Sequence, residues 1–139
     1  MASEATPDRL GERRRVTVMF ADISGFTSLA ESMDPEVLRD LVSACFECLV
    51  PVIERYCGTL DKIIGDEIMA LFGAPVAHEN DPELALRCAL EMREALSAFN
   101  DVRHTDLGIH FGINTGLVVA GGVGAGGHRE YSVVGGAVN

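Results

Sequence analysis

Apolar residues recur with two different periods along this chain, and the periods predict which segments are strands and which are helices. Residues 16–21 are apolar almost without interruption, which predicts a buried strand ending at Asp22. Apolar positions recur at helical spacing across residues 37–56 and again across 84–99. Each of these segments directly follows an Asp-Pro-Glu sequence, at 34–36 and at 81–83. This sequence is typical of a helix N-terminus. Two long helices are therefore predicted.

Shorter elements complete the pattern. The turn at residues 24–27 leads into a short helix, with Ser28 and Glu31 at the spacing of a capping box. Gly58 is expected to end the first long helix. Further strands are predicted as a hairpin at 59–72, near 107–114 and 117–120 on either side of Thr115-Gly116, and at 131–134. With the two segments that flank Thr115-Gly116 counted together, the order is βααββαββ, which predicts an α+β fold, a mixed and mainly antiparallel sheet with helices on one face.

Composition and charge narrow the class of protein. The 139 residues are 47% hydrophobic and 23% charged, as expected for one soluble domain with its own core. The net charge of −10 argues against nucleic-acid binding, because Lys and Arg are too few to neutralise many phosphates. Residues 1–14 are polar and are interpreted as a flexible leader before a domain at 15–139. No segment suits a membrane span or a signal peptide, so we expect a cytoplasmic location.

Cys45 and Cys48 form a C-x-x-C sequence. A redox pair of this kind lies at a helix N-terminus, whereas these cysteines fall well inside the first long helix. We therefore interpret both as small core residues.

Asp22 and Asp66 are the candidate functional residues with the clearest chemistry. Asp22 ends the first strand, and Asp66 follows Gly65 between the two strands of the hairpin. Taken singly, Asp22 would be a helix cap and Asp66 a turn residue. Together, at two strand ends and beside glycines that let a ligand approach the backbone, they predict a divalent-metal site for phosphate chemistry.

Four segments carry a resemblance to a known family: FADISGFTSLAE, DKIIGDEIMALFG, GIHFGINTGLVVAGGVG and REYSVVGGAVN. In this order they resemble the catalytic domain of the class III adenylyl and guanylyl cyclases, from about Arg15 to Asn139. The resemblance implies a ferredoxin-like or palm-like core. It also implies that the family pattern continues beyond Asn139 with an arginine, a helix and more strands. We therefore expect this chain to be a truncated domain that is inactive on its own.

The resemblance implies which residues bind metal and phosphate. Asp22, Asp66 and the backbone carbonyl of Ile23 would hold two Mg²⁺ or Mn²⁺ ions, which are hard cations that prefer oxygen ligands. The substrate triphosphate would lie against the backbone amides of Gly25, Phe26 and Thr27. Amides at a helix start are suited to this role.

The resemblance also implies which residues read the base and assist catalysis. Lys62 matches the residue that hydrogen-bonds adenine, where guanylyl cyclases carry glutamate; an ammonium can donate to N1 of adenine but not to the N1–H of guanine. Ser132 falls at the second base-reading position, although a strand serine facing solvent is an equally weighted interpretation. Arg129 matches a phosphate-contacting arginine, and Asn139 matches the asparagine that orients the ribose and the transition state.

The expected function is conversion of ATP to 3′,5′-cyclic AMP and pyrophosphate by a two-metal mechanism. The resemblance implies a head-to-tail homodimer in which one subunit supplies Asp22, Asp66 and Arg129 and the other supplies Lys62, Ser132 and Asn139. Three alternatives stay open. They are a non-catalytic nucleotide-binding or dimerising module, a guanylate cyclase, which Lys62 disfavours, and another two-metal enzyme such as a diguanylate cyclase. The G-G-D-E-F turn of the last class is only partly matched, by residues 64–68.

Overall fold

The computed structural model describes residues 12–123 and 130–135, with side chains from Arg14 to Leu117. The described elements run in the order βααββαββ, which matches the predicted order once the two strands expected on either side of Thr115-Gly116 are counted as one, and the predicted α+β fold is confirmed. They are β1 (Glu12–Ser24), α1 (Phe26–Ala30), α2 (Pro35–Arg55), β2 (Thr59–Ile64), β3 (Glu67–Phe72), α3 (Asp81–Arg103), β4 (Gly108–Val123) and β5 (Glu130–Gly135).

The strands form one sheet in the order β2-β3-β1-β4-β5. The sheet was predicted as mixed, but each neighbouring pair in the described residues is antiparallel. β1 lies in the centre, between β3 and β4. The residues at the end of β1 are therefore flanked by β3 and β4, which can hold them in place.

The predicted break in β4 is wrong. The two strands expected at 107–114 and 117–120 are a single strand, because Thr115 and Gly116 continue the ladder opposite Thr17 and Val16 of β1. The Oγ1 atoms of Thr17 and Thr115 are 2.7 Å apart and share a hydrogen bond. Thr-Gly is a turn signal in isolation, but the long partner strand keeps it extended.

The three helices cover one face of the sheet, which we call the helix face. Strand residues that alternate along β1 and β3 form the floor of this core, and the apolar stripes of α2 and α3 pack on it. The strand residues are Met19, Ala21, Ile23, Ile68, Ala70 and Phe72, and the helix residues include Leu41, Cys45, Leu49, Cys88, Met92 and Leu96.

A separate cluster lies on the opposite face of the sheet, which we call the second face. It contains Val16, Val18, Met69, Leu71 and Ala74, with Phe20 packed against it. Because strand side chains alternate between faces, Asp22 follows Phe20 onto the second face. Glu67, which pairs with Asp22, lies on the same face.

The long helices begin as predicted, but the short one does not. The carboxylate of Asp34 accepts a hydrogen bond from the N–H of Glu36 at 3.1 Å and caps α2. Ser28 lies inside α1, and the residue before α1 is Gly25, which makes no side-chain cap. The predicted capping box of Ser28 and Glu31 is therefore wrong.

The end of α2 also differs in detail. The residue in the left-handed conformation is Cys57, with φ 67°. Gly58 is required for packing instead, because a Cβ there would lie 2.7 Å from the ring of Phe72.

β1 begins at Glu12, inside the segment interpreted as a leader. The side chain of Arg14 donates to the carbonyl oxygens of Gly73 and Pro75. Residues 1–11 lie outside the described part of the chain. No helix in residues 12–123 and 130–135 is long and apolar enough to cross a membrane.

Candidate metal and phosphate site

Asp22 and Asp66 lie at the same end of the sheet. Asp22 pairs across the ladder with Glu67, the residue that follows Asp66. The backbone N–H of Ile23 donates to the carbonyl oxygen of Asp66 at 3.0 Å. This bond joins the turn of the β2–β3 hairpin to the end of β1. The fold thus brings together the three residues that the family resemblance implies as metal ligands.

The hairpin turn allows this approach. Gly65 has φ 60°, as glycine does at the first central position of a two-residue hairpin turn. The ladder resumes immediately, with Ile64 opposite Glu67. No atom lies within 4 Å of a Cβ built on Gly65, so the glycine is required by its backbone conformation and the space beside it is open.

The negative charge at this end of the sheet has no cationic partner in the described chain. Asp22 is exposed and Asp66 is half-buried. Within residues 14–117, neither carboxylate makes a hydrogen bond or an ion pair. Glu67 lies directly opposite Asp22, and like charges in this position repel each other. A cation bound here would relieve that repulsion.

The donor set suits magnesium or manganese. No group of three or more His, Cys, Asp or Glu side chains in the described residues could hold a metal ion by itself. Within the described residues, the predicted ligands are the carboxylates of Asp22 and Asp66 together with backbone carbonyls. Mg²⁺ is commonly bound by one or two carboxylates and completes its coordination with water and substrate phosphates. A structural zinc site, which needs four protein ligands, does not fit.

The turn between β1 and α1 presents backbone amides beside these carboxylates. Gly25 has φ 110°, a conformation that residues with a Cβ rarely adopt. Phe26 is 4% exposed and anchors α1 in the core, whereas Thr27 is exposed. α1 has no side-chain cap and no acidic residue in its first turn. The first amides of a helix have no partner within it, so these can donate to an anion.

The close approach of residues 106–108 to this turn was not predicted from the sequence. A Cβ on Gly25 would lie 3.1 Å from Cδ2 of Leu107 and 3.5 Å from the carbonyl oxygen of Asp106. Gly108 pairs with Ser24, and a Cβ on Gly108 would lie 2.8 Å from the Oγ of Ser24. The single signal in the sequence is a glycine at the start of a predicted strand, which can mark a close backbone approach.

Lys62 lies on the edge strand β2, on the second face. It pairs with Met69, which in turn pairs with Phe20 of β1. Strand spacing and rise put it about 12 Å from Asp22. A register shift between Leu60 and Lys62 lets Leu60 return to the helix face while Lys62 stays exposed.

The remaining predicted site residues lie at or beyond the edge of the described chain. Ser132 is in β5 opposite Gly121, but its side chain is outside the described part. Arg129 and Asn139 lie outside the described residues altogether. Their roles stay predictions.

The C-x-x-C sequence does not form a redox site. Cys45 is buried in the core, and burial raises the pKa of its thiol to about 11, the opposite of what a reactive thiolate needs. Cys48 is exposed, so the interpretation of both cysteines as core residues holds for Cys45 alone.

Comparison with known proteins decides the family. The model of the adenylate and guanylate cyclase catalytic domain matches residues 10–139. The chain belongs to this family. It is therefore a class III nucleotidyl cyclase domain, and the strand-end aspartates and the uncapped turn belong to the segment that the family model covers.

The individual relatives include both adenylyl and guanylyl cyclases. Adenylate cyclase 1 of Rhizobium meliloti is 37% identical over 135 residues, which cover 94% of this chain and 20% of that protein. The adenylyl cyclase CyaB from P. aeruginosa matches with a TM-score of 0.83 at 32% identity, covering 91% of this chain and 68% of that one. The guanylyl cyclase Cya2 matches with a TM-score of 0.83 at 36% identity, covering 94% and 68%. The chain thus spans a small part of the curated relative and most of each solved domain.

Proposed function

We propose that this chain is the catalytic domain of an adenylate cyclase, which converts ATP to 3′,5′-cyclic AMP and pyrophosphate in cyclic-nucleotide signalling. The observation that carries the proposal is the meeting of Asp22, Ile23 and Asp66 beside an uncapped helix start. Carboxylates that have no cationic partner within residues 14–117, and amides that have no acceptor in the same range, are complementary to a metal-bound triphosphate.

In the proposed reaction, Asp22 and Asp66 hold two Mg²⁺ or Mn²⁺ ions, with the carbonyl of Ile23 as a further ligand. When bound, the ions lower the pKa of the ribose 3′-hydroxyl and neutralise the triphosphate. The amides of Gly25, Phe26 and Thr27 donate to phosphate oxygens and orient the α-phosphorus. The 3′-hydroxyl loses its proton to solvent, and its oxygen attacks the α-phosphorus in line. The bond from that phosphorus to the α–β bridging oxygen breaks, and pyrophosphate leaves.

The acidity of the chain makes local cations necessary. With a net charge of −10, the domain as a whole repels ATP. The proposed metal ions supply most of the local positive charge, and Arg129 supplies a bidentate donor for phosphate oxygens. Without bound metal, we expect ATP to bind weakly if at all.

Lys62 is the proposed reader of the base. It is the only lysine in the sequence, and it is exposed on the second face together with Asp22. Its ammonium can donate to N1 of adenine, and Ser132 can donate or accept beside it. In the proposed head-to-tail homodimer, Lys62, Ser132 and Asn139 of one subunit complete the site built on Asp22, Asp66 and Arg129 of the other.

A guanylate cyclase is the second candidate, because the guanylyl cyclase Cya2 is 36% identical to this chain. Residue 62 separates the two candidates. A glutamate there could accept from the N1–H of guanine, whereas a lysine has no acceptor to offer. We therefore favour ATP.

The test is cyclic-nucleotide formation from ATP and GTP in competition, with Mg²⁺ or Mn²⁺ present. Because the chain spans 68% of the solved CyaB chain, the assay uses this chain alone and fused to the rest of the CyaB domain. Asp22→Asn and Asp66→Asn should each lower the rate about a hundredfold or more, since metal-held charge contributes several kcal/mol. Lys62→Glu should lower ATP use and narrow the ATP-to-GTP ratio.

Matched controls carry the same charge changes on the exposed surface of α2. Asp40→Asn and Arg39→Glu should leave rate and preference near those of the parent. Cyclic AMP formation that survives both aspartate changes would disprove the metal assignment. A parent protein that prefers GTP would make it a guanylate cyclase, and nucleotide binding without turnover in the completed domain would favour a non-catalytic module.

A further inference from the structure

The side chain of Asn100, near the end of α3, makes hydrogen bonds to Thr105 and Leu107, which precede β4. Its side-chain Oδ1 accepts hydrogen bonds from the N–H of Leu107 at 3.0 Å and from the hydroxyl of Thr105 at 2.8 Å. Its Nδ2 donates to the carbonyl oxygen of Leu107 at 2.9 Å. The amide group thus pairs with both backbone groups of Leu107, as a neighbouring strand would. An amide is the side-chain group that both donates and accepts in this way.

The backbone of Asn100 closes the same turn. Its carbonyl oxygen accepts from the N–H of Thr105 at 3.1 Å and from the N–H of His104. His104 ends α3 in the left-handed conformation, with φ 60°. The path from α3 into β4 is therefore fixed by one residue through both its main chain and its side chain.

Leu107 connects this turn to the candidate site. Leu107 is 5% exposed, and its side chain lies against Gly25. The next residues pair in register with the end of β1: Gly108 with Ser24, Ile109 with Ile23 and His110 with Asp22. A shift of Leu107 would therefore displace the metal-binding residues and the phosphate turn together.

We propose that Asn100 is a positioning residue of the cyclase site, and this inference rests on the proposed function. Asn100 is not among the residues proposed to bind the metal or the nucleotide. It acts through Leu107, which keeps residues 22–25 in a single arrangement before the substrate arrives. Displacements of about 1 Å in such supporting residues can cost a hundredfold in rate, so the bonds to Leu107 should matter to a site some distance away.

The competing explanation is that Asn100 only ends α3. Two variants separate the two roles. Thr105→Val removes one bond to the amide and leaves both bonds to Leu107. Asn80→Ala removes an exposed asparagine at the other end of α3, where its side chain makes no capping hydrogen bond. Positioning through Leu107 predicts that Asn100→Ala affects the site and that these two variants do not.

The experiment follows the backbone amide signals of residues 23–28 in ¹⁵N-labelled chain by NMR. Magnesium tripolyphosphate is titrated in, because it carries the metal and triphosphate of the substrate without the base. The temperature is one at which every variant is folded by circular dichroism. Asn100→Ala should shift the signals of Gly25 and Phe26 before any ligand is added and weaken binding about tenfold. Thr105→Val and Asn80→Ala should bind within about twofold of the parent.

Each other outcome has a definite meaning. Unchanged binding by Asn100→Ala overturns the positioning role and leaves the proposed function standing. Equal weakening by Asn100→Ala and Thr105→Val also overturns it, because the bonds to Leu107 would then not be the cause. No binding to residues 23–28 in the parent chain rejects the proposed phosphate turn and the positioning role with it.

Discussion

α1 begins at Phe26 and α2 at Pro35, and the two helix starts are built in opposite ways. α2 begins with a side-chain cap, a proline and an acid: Asp34 accepts from the N–H of Glu36, and Pro35 has no N–H to satisfy. α1 begins after Gly25 with no cap and no acid in its first turn. The residues of α2 thus satisfy their own helix start, whereas α1 leaves its first amides to another partner.

The difference indicates which start is structural and which is functional. A cap and an acid stabilise a helix start by complementing its amides. At α1 the same complement would come from phosphate, according to the proposed function. The shape of α1 depends instead on Leu107 and on the backbone freedom of Gly25. Changes at the two starts should therefore separate stability from ligand binding.

The largest effect is expected from Gly25→Val. The substitution combines φ 110° with a Cβ 3.1 Å from Leu107, so it should lower the free energy of unfolding by about 2–3 kcal/mol. Displacement of the turn should also abolish binding of magnesium tripolyphosphate. Urea unfolding and an NMR titration measure the two effects.

Gly73→Val is the matched control. Gly73 has φ 116° and a Cβ position 3.1 Å from both the carbonyl oxygen of Arg15 and a carboxylate oxygen of Asp81. It lies after Phe72, which pairs with Thr17, away from the Asp22 end of β1. We expect similar destabilisation with normal binding by the folded fraction. Loss of binding in both variants would show that Gly25 affects the site merely through global stability.

Asp34→Ala tests the other helix start. Removing the cap of α2 should lower the free energy of unfolding by about 1 kcal/mol. Binding of magnesium tripolyphosphate should change less than twofold, because the amides of α2 are not expected to contact it. A strong loss of binding would mean that the α2 start, and not the α1 start, contributes to the anion site.

The two helix starts also show which features could be predicted from the sequence and which could not. The α2 start was predicted correctly because its cap, proline and acid are adjacent in sequence and act locally. The α1 start was predicted at Ser28 and Glu31, because capping-box spacing is a local signal that tertiary structure can override. The left-handed Gly25 lies beside Leu107, and this proximity depends on how the chain closes from α3 into β4.

The same distinction applies to the rest of the fold and site. The helical spacing of apolar residues predicted α2 and α3, because long amphipathic helices repeat this spacing over several turns. The continuity of β4 through Thr115-Gly116 depends on its pairing with β1 and was missed. Asp22 and Asp66 were predicted from their strand-end positions and the family motif, and their roles stay predictions. Asn100 carries no motif, because its proposed role depends on contacts that are distant from the site in sequence.

Thr27→Glu is expected to change stability only slightly. It should stabilise the fold but weaken ligand binding. Thr27 is the second residue of α1, the position that Glu36 occupies in α2, and it is exposed. A carboxylate there should complement the uncapped amides and raise the free energy of unfolding by up to about 0.5 kcal/mol. It should also repel magnesium tripolyphosphate and weaken its binding about tenfold, since charges a few ångströms apart near a surface interact by a few kcal/mol.

Two companions test the origin of that effect. Thr27→Gln adds similar bulk without charge and should bind within about twofold of the parent, because the repulsion is absent. Glu36→Gln should lower stability by a few tenths of a kcal/mol and leave binding unchanged. If Thr27→Glu stabilises the chain and binds normally, the amides of α1 are free but do not face the phosphate. The carboxylates of Asp22 and Asp66 would then have to bind the metal-triphosphate without the turn, and the contrast between the two helix starts would be one of stability alone.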